Sequence, residues 1–421
     1  MIAGLNAPIS FFSTRYLSRP GLTRARFLQH QERALGKWLH RAVPKVPAFA
    51  DAPAHLSMLP VMDKAQLMEN FVQYNCQGIT ADQVRGALKS GDQIGVLTVG
   101  ASTGTSGNQG LFVISDAERF RWLGSILAKT MADLLWHKQR VAILLPRGTG
   151  LYDSANQIQW LQLRFFDVTR GPDAWRAELE TFDPTVIVAA PKVLRAMAEE
   201  KFSLRPLRVF SAAETLDPLD RPVIEAAFGR GLGQIYMATE GLFGVTCRHG
   251  RLHLAEDSVH FEFEPVGDGL VTPLISSFRR ETQILARYRM NDLLRLDPEP
   301  CSCGTPLQAV TEIVGRMDDC FHLHGASGLQ MLTPDVLRNA VVMADHRITD
   351  FRVIQTGPRT VELALPADLP RGAGRAARHG LQSLFDARGL HAKIALTCGP
   401  LPLDVNRKLR RVEYRAQSVK P

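Results

Sequence analysis

The sequence predicts an α/β protein with a large N-terminal α/β domain, a β-rich subdomain and a small C-terminal α+β domain. Three short apolar runs alternate with helical patterns, at residues 141–145, 186–190 and 207–210. This alternation predicts a sheet covered by helices. After Tyr236 the apolar runs are shorter and are interrupted by Gly and Pro, which predicts the β-rich part.

The N-terminal third supports this prediction. Residues 20–75 have apolar positions at mostly helical spacing, with Asp63 as a candidate helix cap. Two apolar runs at 96–99 and 111–114 flank a polar loop, and a helical pattern follows over 116–135. The chain has 421 residues, and at about 100–200 residues per domain this length predicts two or three domains.

Composition narrows the classes of function. The formal charge is +8, but the arginines are scattered, so we expect a solvated surface and no nucleic-acid partner. No apolar run approaches the ~18 residues of a membrane span, and residues 1–26 lack a signal-peptide pattern. Six cysteines in this length do not predict a disulfide framework, so a cytoplasmic location is expected. The oligomeric state stays open, and a homodimer is compatible with the sequence.

A loop rich in Gly, Ser and Thr lies between the runs at 96–99 and 111–114. Glycines let backbone N–H groups approach an oxyanion closely, and hydroxyls add donors, so the loop suits a polyphosphate. It matches neither the Walker A nor the dinucleotide pattern, and a flexible surface turn has a similar composition. The loop residues are Ser102, Thr103, Gly104, Thr105, Ser106 and Gly107.

Placed before the 111–114 run, this loop resembles the nucleotide phosphate loop of the adenylate-forming superfamily, which includes acyl-CoA synthetases and nonribosomal-peptide adenylation domains. Many members carry a lysine just after the loop. Here Asn108 and Gln109 take those places. The resemblance therefore implies that the backbone and hydroxyls bind phosphate.

Two further motifs follow in the order the superfamily has. The run Ser211-Ala212-Ala213-Glu214 resembles the segment beside adenine and the acyl pocket, which implies a nucleotide contact for Glu214 and a substrate contact for Ala213. Residues 234–241 resemble the aromatic-x-x-Thr-Glu motif. This implies that Tyr236 packs on adenine, Thr239 contacts phosphate and Glu240 holds Mg²⁺, a cation that prefers oxygen ligands.

Residues 288–293 resemble the Tyr-Arg-Thr-Gly-Asp-Leu motif, with Met290 and Asn291 in place of Thr-Gly. The resemblance implies that Asp292 binds the ribose hydroxyls. Residues 315–319 match the Gly-Arg-x-Asp-Asp hinge motif. They imply that Arg316 contacts ribose or phosphate and that Asp318 is the pivot between domains 1–316 and 317–421, the smaller of which is mobile.

The closing motif of the superfamily places a lysine six residues after a proline. Lys408 follows Pro402 at that spacing, with Arg407 replacing the usual Gly. The implied role of Lys408 is to stabilise charge on the substrate carboxylate and the α-phosphate. Taken alone, this lysine with its neighbouring arginines is equally a solvated basic face.

The pair Cys301-x-Cys303, together with residues 60–64, resembles the phenylacetate–CoA ligase branch and its deazaflavin-cofactor AMP ligase relatives. Some such proteins bind structural zinc at this place. Cys247 and His253 complete a Cys₃His set suited to Zn²⁺, with His249 as a competing ligand. Buried or reduced thiols are the alternative.

The resemblance implies ATP- and Mg²⁺-dependent adenylation of a small carboxylic acid, which the branch suggests is aromatic. The acyl group then passes to a thiol of coenzyme A or of a carrier-protein phosphopantetheine. Tyr152 is a candidate substrate contact. Two alternatives stay open: an AMP ligase that stops at the adenylate or adenylylates a cofactor hydroxyl, and a non-catalytic nucleotide-binding relative.

Overall fold

The protein is described here by a computed structural model, whose described residues are 3–102, 109–146, 160–326, 328–404 and 407–415. They form two compact units. The first comprises Met1–Leu216, Asp220–Met290 and Arg295–Thr311, and the second comprises Asp217–Leu219, Asn291–Leu294 and Glu312–Pro421. The mixed α/β fold class is confirmed. The assignment of roles to residues 1–316 and 317–421, and the mobility of the smaller part, stay predictions.

Ten α-helices lie in the described part of the chain. The pattern over residues 20–75 gives only two of them, because proline-containing 3₁₀ turns separate the pair. Asp63 caps the second of these two through a reciprocal capping box with Gln66, as predicted. The helices are α1 (Asn6–Leu17), α2 (Arg24–Arg41), α3 (Lys64–Glu69), α4 (Ala81–Ala87), α5 (Asp116–Thr130), α6 (Pro172–Phe182), α7 (Pro191–Glu199), α8 (Asp220–Phe228), α9 (Pro334–Val342) and α10 (Arg371–Ala387).

The strands include all three runs that the sequence predicted. In chain order they are β1 (Gln93–Ile94), β2 (Leu97–Ala101), β3 (Leu111–Ser115), β4 (Gln139–Leu145), β5 (Leu161–Asp167), β6 (Val186–Ala189), β7 (Arg208–Ala212), β8 (Leu232–Ala238), β9 (Gly241–Thr246), β10 (Leu252–Leu254), β11 (His260–Gly267), β12 (Leu270–Ser276), β13 (Tyr288–Arg289), β14 (Asp292–Leu296), β15 (Ala309–Arg316), β16 (Phe321–Gly325), β17 (Gly328–Leu332), β18 (Arg352–Gly357), β19 (Thr360–Leu365), β20 (Lys393–Cys398) and β21 (Val412–Tyr414).

The first unit is built on parallel strands in the order β5-β4-β6-β7-β8, and β9 and β10 extend them antiparallel. Strand β4 shows why both sheet faces are covered. Val141 and Ile143 join the core beneath α1 and α5, whereas Ala142 and Leu144 join the core beneath α6, α7 and α8. Apolar side chains on both faces are typical of parallel strands buried between helices. Because the five strands from β5 to β8 are parallel, their carboxyl ends share one edge of the sheet.

Two smaller sheets position other parts of the chain. In the first unit, β1, β2 and β3 form an antiparallel sheet, and the predicted phosphate loop connects β2 to β3. In the second unit, the β20-β19-β18-β21 sheet packs with α9 and α10 around a core that contains Phe321, Phe351 and Phe385. None of the described helices combines the length and apolar character needed to cross a bilayer.

Helix α1 packs so closely on α5 that one glycine is required there. A Cβ at Gly124 would lie 2.1 Å from the carbonyl oxygen of Ala7. We expect Gly124→Ala to destabilise the first unit by about 1–3 kcal/mol, because backbone has to move. The matched change Gly36→Ala in α2 meets open space and should stabilise by about 0.5–1 kcal/mol through helix propensity.

Thermal unfolding of the two alanine variants checks this packing. The account predicts melting temperatures that move in opposite directions, down for Gly124→Ala and up for Gly36→Ala. A melting temperature raised by both changes would show that α1 does not pack on α5 in this way.

Candidate functional site

Two neighbouring parallel strands, β7 and β8, end at residues of the predicted site, and a third, β6, ends beside them at a residue that was not predicted. Lys192 follows β6, Glu214 follows β7, and Thr239 and Glu240 follow β8. Because the carboxyl ends of parallel strands share one edge, these side chains lie along the edge at which open α/β sheets bind ligands.

The base of the phosphate loop is closed by two hydrogen bonds. The Ser102 backbone N–H donates to the Gly110 carbonyl at 2.8 Å, and the Gly110 N–H donates to the Ser102 hydroxyl oxygen at 2.9 Å. A Cβ at Gly110 would lie 3.7 Å from the Thr239 side chain. The loop base is therefore in contact with the turn after β8. Thr103, Gly104, Thr105, Ser106, Gly107 and Tyr152 lie outside the described residues.

Glu240 presents a carboxylate suited to a hard cation. Its Oε1 accepts a 2.8 Å hydrogen bond from the Tyr288 hydroxyl. Within the described ranges, no lysine or arginine side chain forms an ion pair with this carboxylate. A carboxylate and the neighbouring Thr239 hydroxyl are hard oxygen donors, so the residues present fit Mg²⁺.

Arg280 donates hydrogen bonds to the backbone of the same turn and of β3. Its guanidinium donates to the Glu240 carbonyl at 3.0 Å, to the Val113 carbonyl at 3.4 Å and to Gln283 Oε1 at 3.0 Å. Burial lowers the pKa of Arg280, and the charges of Glu118 and Glu240 partly offset that effect. One buried cation thus connects the strand that leaves the phosphate loop with the turn that carries Glu240.

Glu214 is held in a buried ion pair. Lys192 Nζ lies 3.0 Å from Glu214 Oε1, and the two side chains are 5% and 7% exposed. The preceding residue, Ala213, has a φ of +68°, a left-handed conformation that costs free energy for a residue with a Cβ. Backbone strain of this kind is concentrated at functional sites. The nucleotide contact of Glu214 and the substrate contact of Ala213 stay predictions.

Tyr236 is buried on β8. Its ring centroid lies 5.3 Å from that of Phe243 on β9. The predicted stacking of this ring on adenine stays a prediction.

In the second unit, the predicted ribose and hinge residues lie together. The Arg316 guanidinium is 3.8 Å from the Asp292 carboxylate, and the Asn291 amide donates to Asp318 at 2.6 Å. The Met317 N–H also donates to the Asn291 carbonyl at 2.9 Å. The unusual Asn291 therefore ties the hinge residue to the Asp292 segment.

The segment that carries Lys408 is anchored within the second unit by the two arginines that follow it. Arg410 lies 3.0 Å from Asp319, and Arg411 lies 2.8 Å from Asp350. Burial raises the pKa of Asp319 to about 6, although Arg410 and Arg316 act to lower it. Lys408 itself is half-buried. Its closing role stays a prediction.

The four predicted zinc ligands meet in the first unit. The donor atoms of Cys247, His253, Cys301 and Cys303 all lie within 4.8 Å of one another. The Cys247 and Cys301 sulfurs are 3.8 Å apart, and the Cys303 sulfur is 3.5 Å from His253 Nε2. Tetrahedral zinc with ordinary bond lengths places two sulfurs about 3.8 Å apart. The competing His249 instead contacts Ser302 and Arg248.

The chemistry of these donors also fits zinc. Burial raises the pKa of the Cys303 thiol to about 12, so this thiol remains protonated unless a cation compensates its charge. Burial lowers the pKa of His253, which keeps the ring neutral. His253 Nδ1 lies 3.0 Å from the Leu307 carbonyl, and this contact directs Nε2 to the sulfurs.

Sequence reasoning did not identify four residues of the first unit's site. Lys64, Arg280 and Tyr288 line a cavity together with Gly110, Thr239 and Glu240, and Lys192 pairs with Glu214. Tyr288 begins a motif that was recognised in the sequence, but its hydroxyl partner is 48 residues away. A buried Lys or Arg gives no local periodic signal, so only packing reveals these contacts.

Comparisons with known proteins show what this chain is similar to. No protein-family model matches the sequence. Protein CapK of Staphylococcus aureus is 26% identical over 150 residues, which are 34% of this chain and 33% of that protein. The chain therefore matches about a third of the length of that curated relative.

Solved structures are similar over most of the chain. A 2-hydroxyisobutyryl-CoA ligase, in the postadenylation state with 2-HIB-AMP, has a TM-score of 0.70 and 16% identity over 96% of this chain and 92% of that one. At this level of identity the similarity shows that the chain shares the fold of this ligase. The amide bond synthetase McbA from Marinactinospora thermotolerans gives 0.53 and 14% identity, over 74% and 67% of the two chains. The anthranilate CoA ligase AuaEII with anthranoyl-AMP gives 0.51 and 16%, over 74% and 65%.

We expect the cluster of Cys247, His253, Cys301 and Cys303 to carry one structural zinc ion. We expect Cys247→Ser to lower zinc content from one equivalent to well below half and to lower the melting temperature, because metal binding contributes directly to folding. Zinc is measured by atomic absorption on protein purified without chelator. Cys398→Ser, at an exposed cysteine, is the control. Wild-type protein that contains no zinc and melts at the same temperature as Cys247→Ser would contradict the assignment.

Proposed function

We propose that this protein adenylates a small carboxylic acid with ATP and then transfers the acyl group to a thiol. The observation that carries the proposal is the packing of the phosphate-loop base on Thr239, beside the carboxylate of Glu240. These two features belong to the motifs that bind phosphate and Mg²⁺ in the superfamily. The acyl-AMP ligands of the structural neighbours support the same reaction.

In the proposed first step, the substrate carboxylate attacks the α-phosphate of ATP and displaces pyrophosphate. The protein forms no covalent bond, so its residues act through position and charge. Thr239 donates a hydrogen bond to phosphate, and Glu240 holds Mg²⁺, which neutralises phosphate charge when bound. Asp292 accepts hydrogen bonds from the ribose hydroxyls, while Arg316 and Lys408 stabilise negative charge as it develops.

Lys64 supplies the positive charge that the phosphate loop lacks. The usual lysine after the loop is replaced by Asn108 and Gln109. Lys64 lines the cavity with Gly110, Thr239 and Glu240, and its Cε is 3.4 Å from the position of a Cβ at Gly110. An ammonium group at this place is suited to the outer phosphates of ATP.

The second step passes the acyl group from the adenylate to a thiol of coenzyme A or of a carrier-protein phosphopantetheine. The hinge at Asp318 would let the Lys408 segment withdraw so that the thiol can enter. The branch resemblance favours an aromatic acid. The neighbours, however, include ligases for both anthranilate and 2-hydroxyisobutyrate, so the test has to cover both classes.

An AMP ligase is the main alternative. Such an enzyme would stop at the adenylate or transfer AMP to a cofactor hydroxyl, and it would need neither a thiol channel nor a hinge rotation.

Acid-dependent exchange of radioactive pyrophosphate into ATP tests the proposal. The panel should contain aryl, phenylacetyl, short aliphatic and hydroxy acids, each with Mg²⁺. Exchange that depends on one acid class supports adenylation and names that class. Absence of exchange with every acid, in protein shown to bind ATP, would refute the first step.

Two substitutions separate the proposed roles. Glu240→Gln should reduce exchange about 100-fold, because a neutral amide holds Mg²⁺ poorly. Lys408→Met should reduce it about 100–1,000-fold through lost charge stabilisation. Lys393→Met, at an exposed lysine of the same unit, is the control and should exchange at the wild-type rate. Wild-type exchange in either site variant would remove that residue from the mechanism.

A further inference from the structure

The hydroxyl of Tyr288 donates to the proposed metal ligand. Its oxygen lies 2.8 Å from Glu240 Oε1, across a sequence separation of 48 residues. Tyr288 is 2% exposed, so water does not compete effectively for this hydrogen bond.

The backbone of Tyr288 is fixed on both sides. On one side β13 pairs with β12, where Tyr288 lies opposite Ile275. On the other side Met62 forms a parallel bridge to Tyr288, with the Met62 N–H donating to the Arg287 carbonyl at 3.2 Å and the Arg289 N–H donating to the Met62 carbonyl at 2.7 Å. A phenol on a strand held in this way has little freedom to move.

Glu240 is held at its backbone as well. Arg280 donates to the Glu240 carbonyl at 3.0 Å, and the next residue, Gly241, has a φ of +147° that favours glycine. With the main chain fixed by Arg280, the remaining freedom of Glu240 is rotation of its side chain. The Tyr288 hydrogen bond restricts that rotation.

We propose that Tyr288 is a positioning residue that orients the Glu240 carboxylate for the nucleotide-bound cation. This inference rests on the proposed function, because the binding of the cation by Glu240 is part of that proposal. By donating to Oε1, the phenol restricts rotation of the carboxylate and leaves Oε2 without this partner, so that Oε2 would be the oxygen available to the metal. A ligand oriented before binding loses less conformational entropy when the metal arrives.

The expected effect follows from the behaviour of other outer-shell partners. Removing a group that orients a metal ligand typically costs about 10–100-fold in metal affinity. Since Tyr288 carries no charge and makes a single hydrogen bond to the carboxylate, we expect the lower end, about 10-fold. The binding of ATP without metal should not change, because the phenol touches the carboxylate and not the nucleotide contacts named above.

Binding of Mn²⁺ to the protein–ATP complex tests the inference without any turnover. The free Mn²⁺ signal in electron paramagnetic resonance is followed with ATP present and no acid added. Tyr288→Phe keeps the ring and removes only the hydroxyl, and its Mn²⁺ dissociation constant should rise about 10-fold. Tyr74→Phe, at a half-buried tyrosine whose hydroxyl bonds to no described residue, should leave it unchanged.

A double-mutant cycle separates positioning from general damage. In a Glu240→Gln background, Tyr288→Phe should have no further effect on Mn²⁺ affinity, because the phenol acts only through that carboxylate. An unchanged dissociation constant in Tyr288→Phe, or an equal loss in both backgrounds, would overturn the inference.

The same titration keeps the inference distinct from the proposed function. If wild-type protein binds Mn²⁺ with ATP but exchanges pyrophosphate with no acid, adenylation of acids fails while the Tyr288 result still decides the inference. If wild-type protein with bound ATP does not take up Mn²⁺, the role of Glu240 and the inference both fail.

Discussion

The candidate site depends on the buried guanidinium of Arg280. Removing this cation from water is costly, and only well-formed hydrogen bonds and nearby carboxylates can compensate for that cost. Glu118 is the larger of the two charges that act against this cost, and Glu240 is the smaller. Burial acts to raise the pKa of Glu118, but Arg280 and hydrogen bonds from Thr282 and Ser115 bring it below the usual range. The guanidinium donates hydrogen bonds to the carbonyls of both Val113 and Glu240. Truncating Arg280 would leave Glu118 buried without its main partner.

The chain departs at three places from the motifs of the superfamily that it resembles, and the structure shows contacts at two of them. Where the usual Gly of the ribose motif is absent, Asn291 donates to the hinge residue Asp318. Where the phosphate-loop lysine is absent, Lys64 stands beside Gly110 at the loop base. For Arg407, which is exposed, the structure offers no explanation. The departures change residues after the phosphate loop, in the ribose motif and beside Lys408. The motif carboxylates Glu240 and Asp292 stay in place.

Local patterns predicted the elements that local physics determines. The Asp63 cap and the strands β4, β6 and β7 were correct, because capping and apolar runs are properties of adjacent residues. Helix α1 and strand β5 were not predicted: β5 places exposed and half-buried residues such as Gln162 and Arg164 among apolar ones. The Cys₃His cluster was predicted from the branch resemblance together with the ligand types, and its four donor atoms do converge. Lys192, Arg280 and Tyr288 were missed, since their partners are distant in sequence.

Isotope transfer reports directly on whether a carboxylate attacks the α-phosphate of ATP. The acid that supports exchange is labelled with ¹⁸O in its carboxyl group, and AMP released after thioester formation is examined by mass spectrometry. The account predicts one ¹⁸O atom in AMP, because the oxygen that bridges the acyl group and phosphorus stays with phosphorus when a thiol attacks the acyl carbon. Unlabelled AMP, or AMP transferred to a hydroxyl acceptor, would contradict the account and favour the AMP ligase.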